Sequence, residues 1–179
     1  VKPQTIESIK HAKAAKVPIV VAINKCDLSD ADPQKIKNQL LEHELIAEEL
    51  SGETLMVEIS TKTKKNLDKL IESILLQAEL LDLKTDYDLK ANGIVMESKI
   101  DVGRGPIVNI IVTSGTLNKG DYFVSGLQWG KVRALINDKG ENIELAIPST
   151  PLEVLGINGA AKSGDDFVVL ATEKEAKSL

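Results

Sequence analysis

"IVVAINKCDL", residues 19–28, decides the fold. Ile19 to Ile23 is apolar and mostly β-branched, the composition of a strand buried on both faces, as parallel sheets require. The run stops abruptly at Asn24, Lys25, Cys26 and Asp27, so an amide, a cation, a thiol and a carboxylate lie just past the strand's carboxyl end. Upstream, "PQTIESIKHAKAA" puts Ile6, Ile9 and Ala12 on one helical face, with Pro3 in the first turn, where its missing N–H does no harm. Downstream, Asp32 and Pro33 form an N-cap and first-turn pair for a helix carrying Ile36, Leu40 and Leu41. Residues 54–60, "TLMVEIS", predict a second strand, and Leu67, Leu70, Ile71, Ile74 and Ala78 form a helical stripe. Helices alternating with strands imply a parallel sheet with right-handed crossovers, whose ligands sit beyond the carboxyl ends of the strands. Asn24 to Asp27 and Ser60 to Lys62 are both at such ends.

The pattern changes near residue 85. After the polar connector "LDLKTDYDLKANG" helical periodicity gives way to short β-rich runs: Ile94 to Ile100, Ile107 to Thr113, Tyr122 to Ser125, Lys131 to Leu135, Leu152 to Ile157 and Phe167 to Ala171. Glycine-bearing turns separate them, including "DVGRGP" and "NDKGEN". Short strands at this spacing with no intervening helix predict a small closed barrel. The fold class is therefore α/β plus all-β.

Composition narrows the function. The 179 residues are 42% apolar, enough for a core in one domain or two. Basic residues number 12 against 14 acidic ones up to residue 84, and 10 against 13 beyond it, so neither part is a basic domain built to coat nucleic acid. One cysteine excludes an internal disulfide and a cysteine-rich zinc site, and His11 and His43 make no metal cluster. A reducing compartment fits this cysteine usage. No apolar stretch approaches the roughly 18 residues of a membrane span, so no membrane partner is expected. The chain opens "VKPQTIESIK" without a methionine and reads as a segment of something longer.

The polar cluster has a specific chemistry. Guanine presents N1–H and an exocyclic amine side by side, and one carboxylate accepts from both, whereas adenine has an acceptor at that ring nitrogen; Asp27 is thus suited to read guanine. Asn24 would serve the base's acceptor edge and the neighbouring loops, and Lys25 would lay its aliphatic stem over the ring plane. Charge-assisted hydrogen bonds are worth about 1.5–3 kcal/mol each, and a site built for a donor pair rejects analogues lacking it by roughly 10⁴-fold. Cys26 reads as a spacer. At the next strand's end, "EISTK" places Ser60, Thr61 and Lys62, where a small residue lets a backbone N–H approach a base carbonyl and the Ser60 hydroxyl can orient Asp27. Lys62, Lys64 and Lys65 read as a solvated basic run, and Trp129 and Tyr122 as barrel packing. Arg104 between two glycines, with Lys131 and Arg133, offers a local contact for a phosphate backbone, or simply a glycine-bearing hairpin.

These residues carry a resemblance. "PQTIESIKHAKAAKVPIVVAINKCD" (3–27), "LIESILLQAELLDLK" (70–84) and "GRGPIVNIIVTSGTLNKGD" (103–121) resemble the corresponding stretches of bacterial-type translation initiation factor 2, a family of translational GTPases. The resemblance runs from end to end. It implies that residues 1–84 are the C-terminal half of a P-loop GTPase domain, 85–91 a linker, and 92–179 a barrel similar to the second domain of elongation factor Tu. Asn24, Lys25 and Asp27 match the family's guanine-specificity motif, and Ser60, Thr61 and Lys62 its last base-contacting motif, with Thr61 where the family usually has alanine.

The resemblance further implies GTP and GDP as ligands, Mg²⁺ in the intact protein, the small and large ribosomal subunits and initiator tRNA as partners, a monomer, and the bacterial cytoplasm or, alternatively, the mitochondrial matrix. The sequence G-x-x-x-x-G-K-[ST] is absent, as are the family's aspartate-glycine switch segment and water-orienting histidine. The chain by itself is therefore expected to be inactive in GTP hydrolysis and to contribute no Mg²⁺ ligand. Two rival readings remain: another translational GTPase, and a nucleotide-independent ribosome-binding module.

Overall fold

Pro3 opens α1 (Pro3–Ala14), whose Ile9 is buried while Ile6 and Ala12 on the same face are half-buried. The structure, a computed structural model, describes residues 1–178; Leu179, the end of the second domain expected from the sequence, lies outside the described residues. β1 (Val20–Ile23) starts one residue inside the apolar run, after Pro18, which has no N–H for a ladder. Asp32 accepts a hydrogen bond from the Lys35 N–H at 3.0 Å and caps α2 (Pro33–Leu41), which turns Leu40 inward. After a 3₁₀ turn at Glu48–Leu50 come β2 (Leu55–Glu58) and α3 (Leu67–Leu81).

β1 and β2 pair in parallel, from Val20 opposite Leu55 to Ile23 opposite Glu58. Two further bonds extend the pairing beyond β2: Ile59 N–H to the Ile23 carbonyl at 2.8 Å and Cys26 N–H to the Ile59 carbonyl at 3.1 Å. Both strands therefore end at one rim. Among the described residues these two strands pair only with each other, leaving each with an unpaired edge. The core of this unit, Val1–Leu83, is correspondingly small, centred on Ile9, Leu40 and Leu45. α3 keeps its apolar stripe but buries none of it; Ile71, Ile74, Leu75 and Leu80 are exposed.

The second unit begins at Lys84. Its strands are β3 (Asn92–Asp101), β4 (Gly105–Ser114), β5 (Leu117–Asn118), β6 (Tyr122–Ser125), β7 (Gln128–Asn137), β8 (Asn142–Ile143), β9 (Leu145–Ala146), β10 (Pro151–Ile157) and β11 (Asp166–Leu170). β10 pairs with both β4 and β7, which closes the ring β7–β10–β4–β3–β11–β6 into a six-stranded antiparallel barrel. Alternate residues of each strand point inward, so Val108, Val154, Phe123 and Phe167 are fully buried. At Gly156 (φ +118°) a register shift bends β10, and a Cβ there would collide with the Lys131 carbonyl.

The six expected strands match these six barrel strands, with ends displaced by a few residues. The connector packs onto the barrel: Gly115 N–H donates to Asp86 at 2.7 Å, Thr116 N–H donates to Leu89 at 3.2 Å, and Ala91 is buried in the barrel core. A closing helix, α4 (Glu173–Ser178), lies beyond the strands that the sequence pattern predicts. Its signal was present in Thr172 and Glu175, a threonine and glutamate at capping-box spacing, whose side chains bond each other's backbone N–H groups at 3.3 Å.

Candidate functional site

The rim where β1 and β2 end collects all six residues singled out from the sequence. Asn24 leaves β1, and Lys25 follows in the left-handed region at φ 64°, a conformation costly to a side-chain-bearing residue that concentrates at functional sites. The Asn24 side chain helps hold this bend, its Oδ1 accepting from the Lys25 N–H at 2.7 Å. The same oxygen accepts from the Thr61 N–H at 3.1 Å, while Asn24 Nδ2 donates to Thr61 Oγ1 at 3.3 Å. Asn24 thus laces the first loop to the second. The Thr61 hydroxyl takes part in that lacing, a contact alanine cannot make.

Ser60 is fully buried. Its hydroxyl donates to Asp27 Oδ1 at 2.7 Å and accepts from the Thr63 N–H at 3.1 Å. With its acceptor side filled by an amide, the hydroxyl proton is directed to the carboxylate. The Ser60 hydrogen bond holds the exposed Asp27 carboxyl below its ordinary value of 3.8; desolvation opposes this, while Asp27's own backbone and the Lys62 ammonium add to it. The result is an ionised acceptor pinned at one oxygen and open to solvent. Cys26 donates its thiol to the Ile23 carbonyl at 3.1 Å and is half-buried.

Asn24, Lys25, Asp27, Leu28, Thr61 and Lys62 line one open depression of about 290 Å³. A purine fits its chemistry: a carboxylate for two adjacent donors, and lysine stems for a ring face. The expected donor to a base carbonyl differs in detail, since the Thr61 N–H is already engaged by Asn24 Oδ1. Among the described residues no acceptor is seen for the Lys62 N–H, which remains available. The supports from Thr63 and Lys65, whose carbonyl accepts the Ser60 N–H at 3.1 Å, were not legible in the sequence because they are backbone groups of a turn.

Because the folded value of Asp27 is lowered, its ionised form is present above the ordinary value and is lost as pH falls through the lowered one. On the guanine reading, base discrimination is therefore expected to persist to pH values below the ordinary carboxylate range. Ser60→Ala removes the main cause of the lowering and should move the acid limb to higher pH, measured as the ratio of GDP to ADP affinity against pH. An acid limb that stays in place would remove Ser60 from this role.

Other candidates lie elsewhere. Arg104 is held within the barrel by Glu153 at 3.1 Å and Asp101 at 3.4 Å, so its charge is already met. Trp129 and Tyr122 are half-buried, with Lys177 and Lys131 over their rings at 4.8 and 5.2 Å. His11 is exposed, 3.6 Å from Glu7, and His43 is half-buried. Among the described residues no group of three or more His, Cys, Asp or Glu is placed to hold a metal, and no helix is long and apolar enough to cross a membrane.

Comparison with known proteins follows the same division. Residues 1–80 match the family described as elongation factor Tu GTP binding domain, and residues 90–170 match elongation factor G domain 2. Translation initiation factor IF-2 of Pelagibacter ubique is 79% identical over all 179 residues, covering 24% of that protein. Its counterpart in Cereibacter sphaeroides is 57% identical over the same span, 21% of its length. The chain thus spans about a quarter or less of the curated relatives it matches. Among solved structures, GDP-bound aIF5B from Aeropyrum pernix superposes with a TM-score of 0.78 at 20% identity, over 99% of this chain and 38% of that one. A bacterial selenocysteine-specific elongation factor, EF-Sec, gives 0.67 at 22%, over 94% and 29%. At such identities these two show the fold alone.

Proposed function

We propose, because this chain belongs to the translation initiation factor IF-2 family, that it forms part of a GTP-binding translation initiation factor and supplies the guanine-reading half of its nucleotide site. Asp27 accepts from N1–H and the exocyclic amine, Lys25 and Lys62 flank the ring, and the Lys62 N–H meets the base carbonyl. Asn24, Ser60 and Thr61 hold these groups in register. The observation that carries this reading is the convergence of Ser60 on Asp27 and of Thr61 on Asn24 at one rim.

The phosphates and Mg²⁺ are assigned to a phosphate loop and switch residues outside this sequence, which has neither. GTP hydrolysis is accordingly a property of the longer protein. There the bound nucleotide favours the state that docks on the small and large ribosomal subunits and promotes initiator tRNA binding, and hydrolysis releases it. The barrel serves as a rigid contact surface. We assign the protein to the bacterial cytoplasm, as a monomer.

The test is titration of a fluorescent GDP analogue, with ADP as competitor, into this chain and into a chain extended N-terminally to restore the phosphate loop. Weak binding by the first and tight, guanine-selective binding by the second are expected. If the extended chain does not discriminate GDP from ADP, the guanine reading is wrong and a nucleotide-independent ribosome-binding module takes its place.

A further inference from the structure

Ser60 and Thr61 meet Asp27 and Asn24 only if the loop between β2 and α3 has one shape. That loop leaves the sheet at Glu58 and re-enters regular structure at Leu67. The Ser60 N–H to Lys65 carbonyl bond, in an antiparallel bridge, draws the loop's flanks together, and the Thr63–Ser60 bond organises its interior. Asn66 adds a second tie at the loop's outer end. Its Nδ2 donates to the Glu58 carbonyl at 2.8 Å, across the mouth of the loop.

Asn66 occupies the N-cap of α3, where an asparagine side chain ordinarily adopts an extended backbone and accepts from the first helical turn. Here it has φ 56° and ψ 20°, in the left-handed region, and makes no capping bond with its side chain. The amide has been turned away from the helix and toward β2. Glu58 is anchored on its other side as well, its carboxylate lying 3.1 Å from the Nζ of the buried Lys37. The acceptor that Asn66 grips is therefore a fixed point.

We infer that Asn66, which touches none of the base-facing groups, is a positioning residue for guanine selectivity, closing the 59–65 loop so that Ser60 and Thr61 are held against Asp27 and Asn24. The inference rests on the guanine reading above. Loss of the clasp lets Ser60 withdraw from Asp27, which weakens the two-point contact with N1–H and the amine. Inosine lacks the amine, so the ratio of GDP to IDP affinity reads that contact directly.

The variants are Asn66→Gly, which keeps access to positive φ without the amide, and Asn66→Asp, near-isosteric but unable to donate to a carbonyl. In the chain extended to restore the phosphate loop, both are expected to lose about tenfold in GDP affinity, the worth of roughly one hydrogen bond, and to compress the GDP to IDP ratio several-fold. In this chain, backbone amide exchange at Thr61 and Thr63 should quicken while that of α3's central turns is unchanged. Asn66→Asp decides the matter should Asn66→Gly not fold.

Unchanged GDP affinity and ratio would overturn the inference, as would an equal loss for GDP and IDP, the mark of a merely structural residue. These outcomes leave the guanine reading standing. If the unmutated protein fails to prefer GDP over ADP, the guanine reading falls first and this inference with it.

Discussion

Asp27→Asn is expected to abolish the preference for guanine and transfer it to xanthine. On the proposed reading the carboxylate accepts from two adjacent donors on the base, whereas an amide can accept at only one atom while presenting N–H groups at the other. Facing guanine, that amide sets donor against donor and leaves a polar group unsatisfied. Losing two charge-assisted hydrogen bonds of about 1.5–3 kcal/mol each corresponds to a fall in GDP affinity of roughly 10²- to 10⁴-fold. Xanthine carries a carbonyl in place of the amine and accepts what the new amide offers, so XDP affinity should rise as GDP affinity falls. Competition between GDP and XDP in the N-terminally extended protein measures both. An unchanged GDP to XDP ratio would show that Asp27 does not face the base.

The second large effect lies in the barrel. Phe123 and Phe167 are both fully buried and stack with ring centroids 4.4 Å apart and an interplanar angle of 24°. They stand on the adjacent strands β6 and β11, at the centre of the core that also contains Val108 and Val154. Phe167→Ala removes a ring from a closed, densely packed space that cannot collapse to fill it, since six paired strands fix its walls. Such truncations cost about 3–5 kcal/mol, and the lost aromatic pair adds about 0.5–1.5 kcal/mol. Against a domain stability of about 5–15 kcal/mol, the second unit should become marginal. Trp129 is the sole tryptophan and lies in this unit, so its fluorescence during denaturant unfolding reports on the barrel by itself. A loss below about 1 kcal/mol would mean that the ring pair does not organise the core, given the usual cost of such truncations.

The strand at Val20–Ile23 was legible because an apolar, β-branched run has few other uses, and the polar residues following it stood out for the same reason. The barrel strands were legible from alternation and glycine turns, as at Tyr122–Ser125. Chemistry near a strand end is local, so Asn24, Lys25, Asp27, Ser60, Thr61 and Lys62 could be picked out from residue type and spacing. Less was legible where backbone groups act. Ile19 reads as strand, but it follows Pro18, which has no N–H to give, and β1 starts at Val20. The stripe on α3 looked like core, yet with only two strands beneath it none of its residues is buried.

The residue order by itself determined the α/β-then-β architecture and the chemical kinds present at the rim, because periodicity, turn residues and side-chain type are properties of short stretches. Only the tertiary structure decided which of those groups meet. That Asn24 takes the Thr61 N–H, that the Ser60 proton goes to Asp27, and that Asn66 gives up its helix cap to grip Glu58 depend on the parallel register of β1 and β2 and on left-handed backbone at Lys25 and Asn66. Such pairings span 8 to 37 positions along the chain, and hydrogen-bond geometry over that range is set by folding rather than by neighbouring residues.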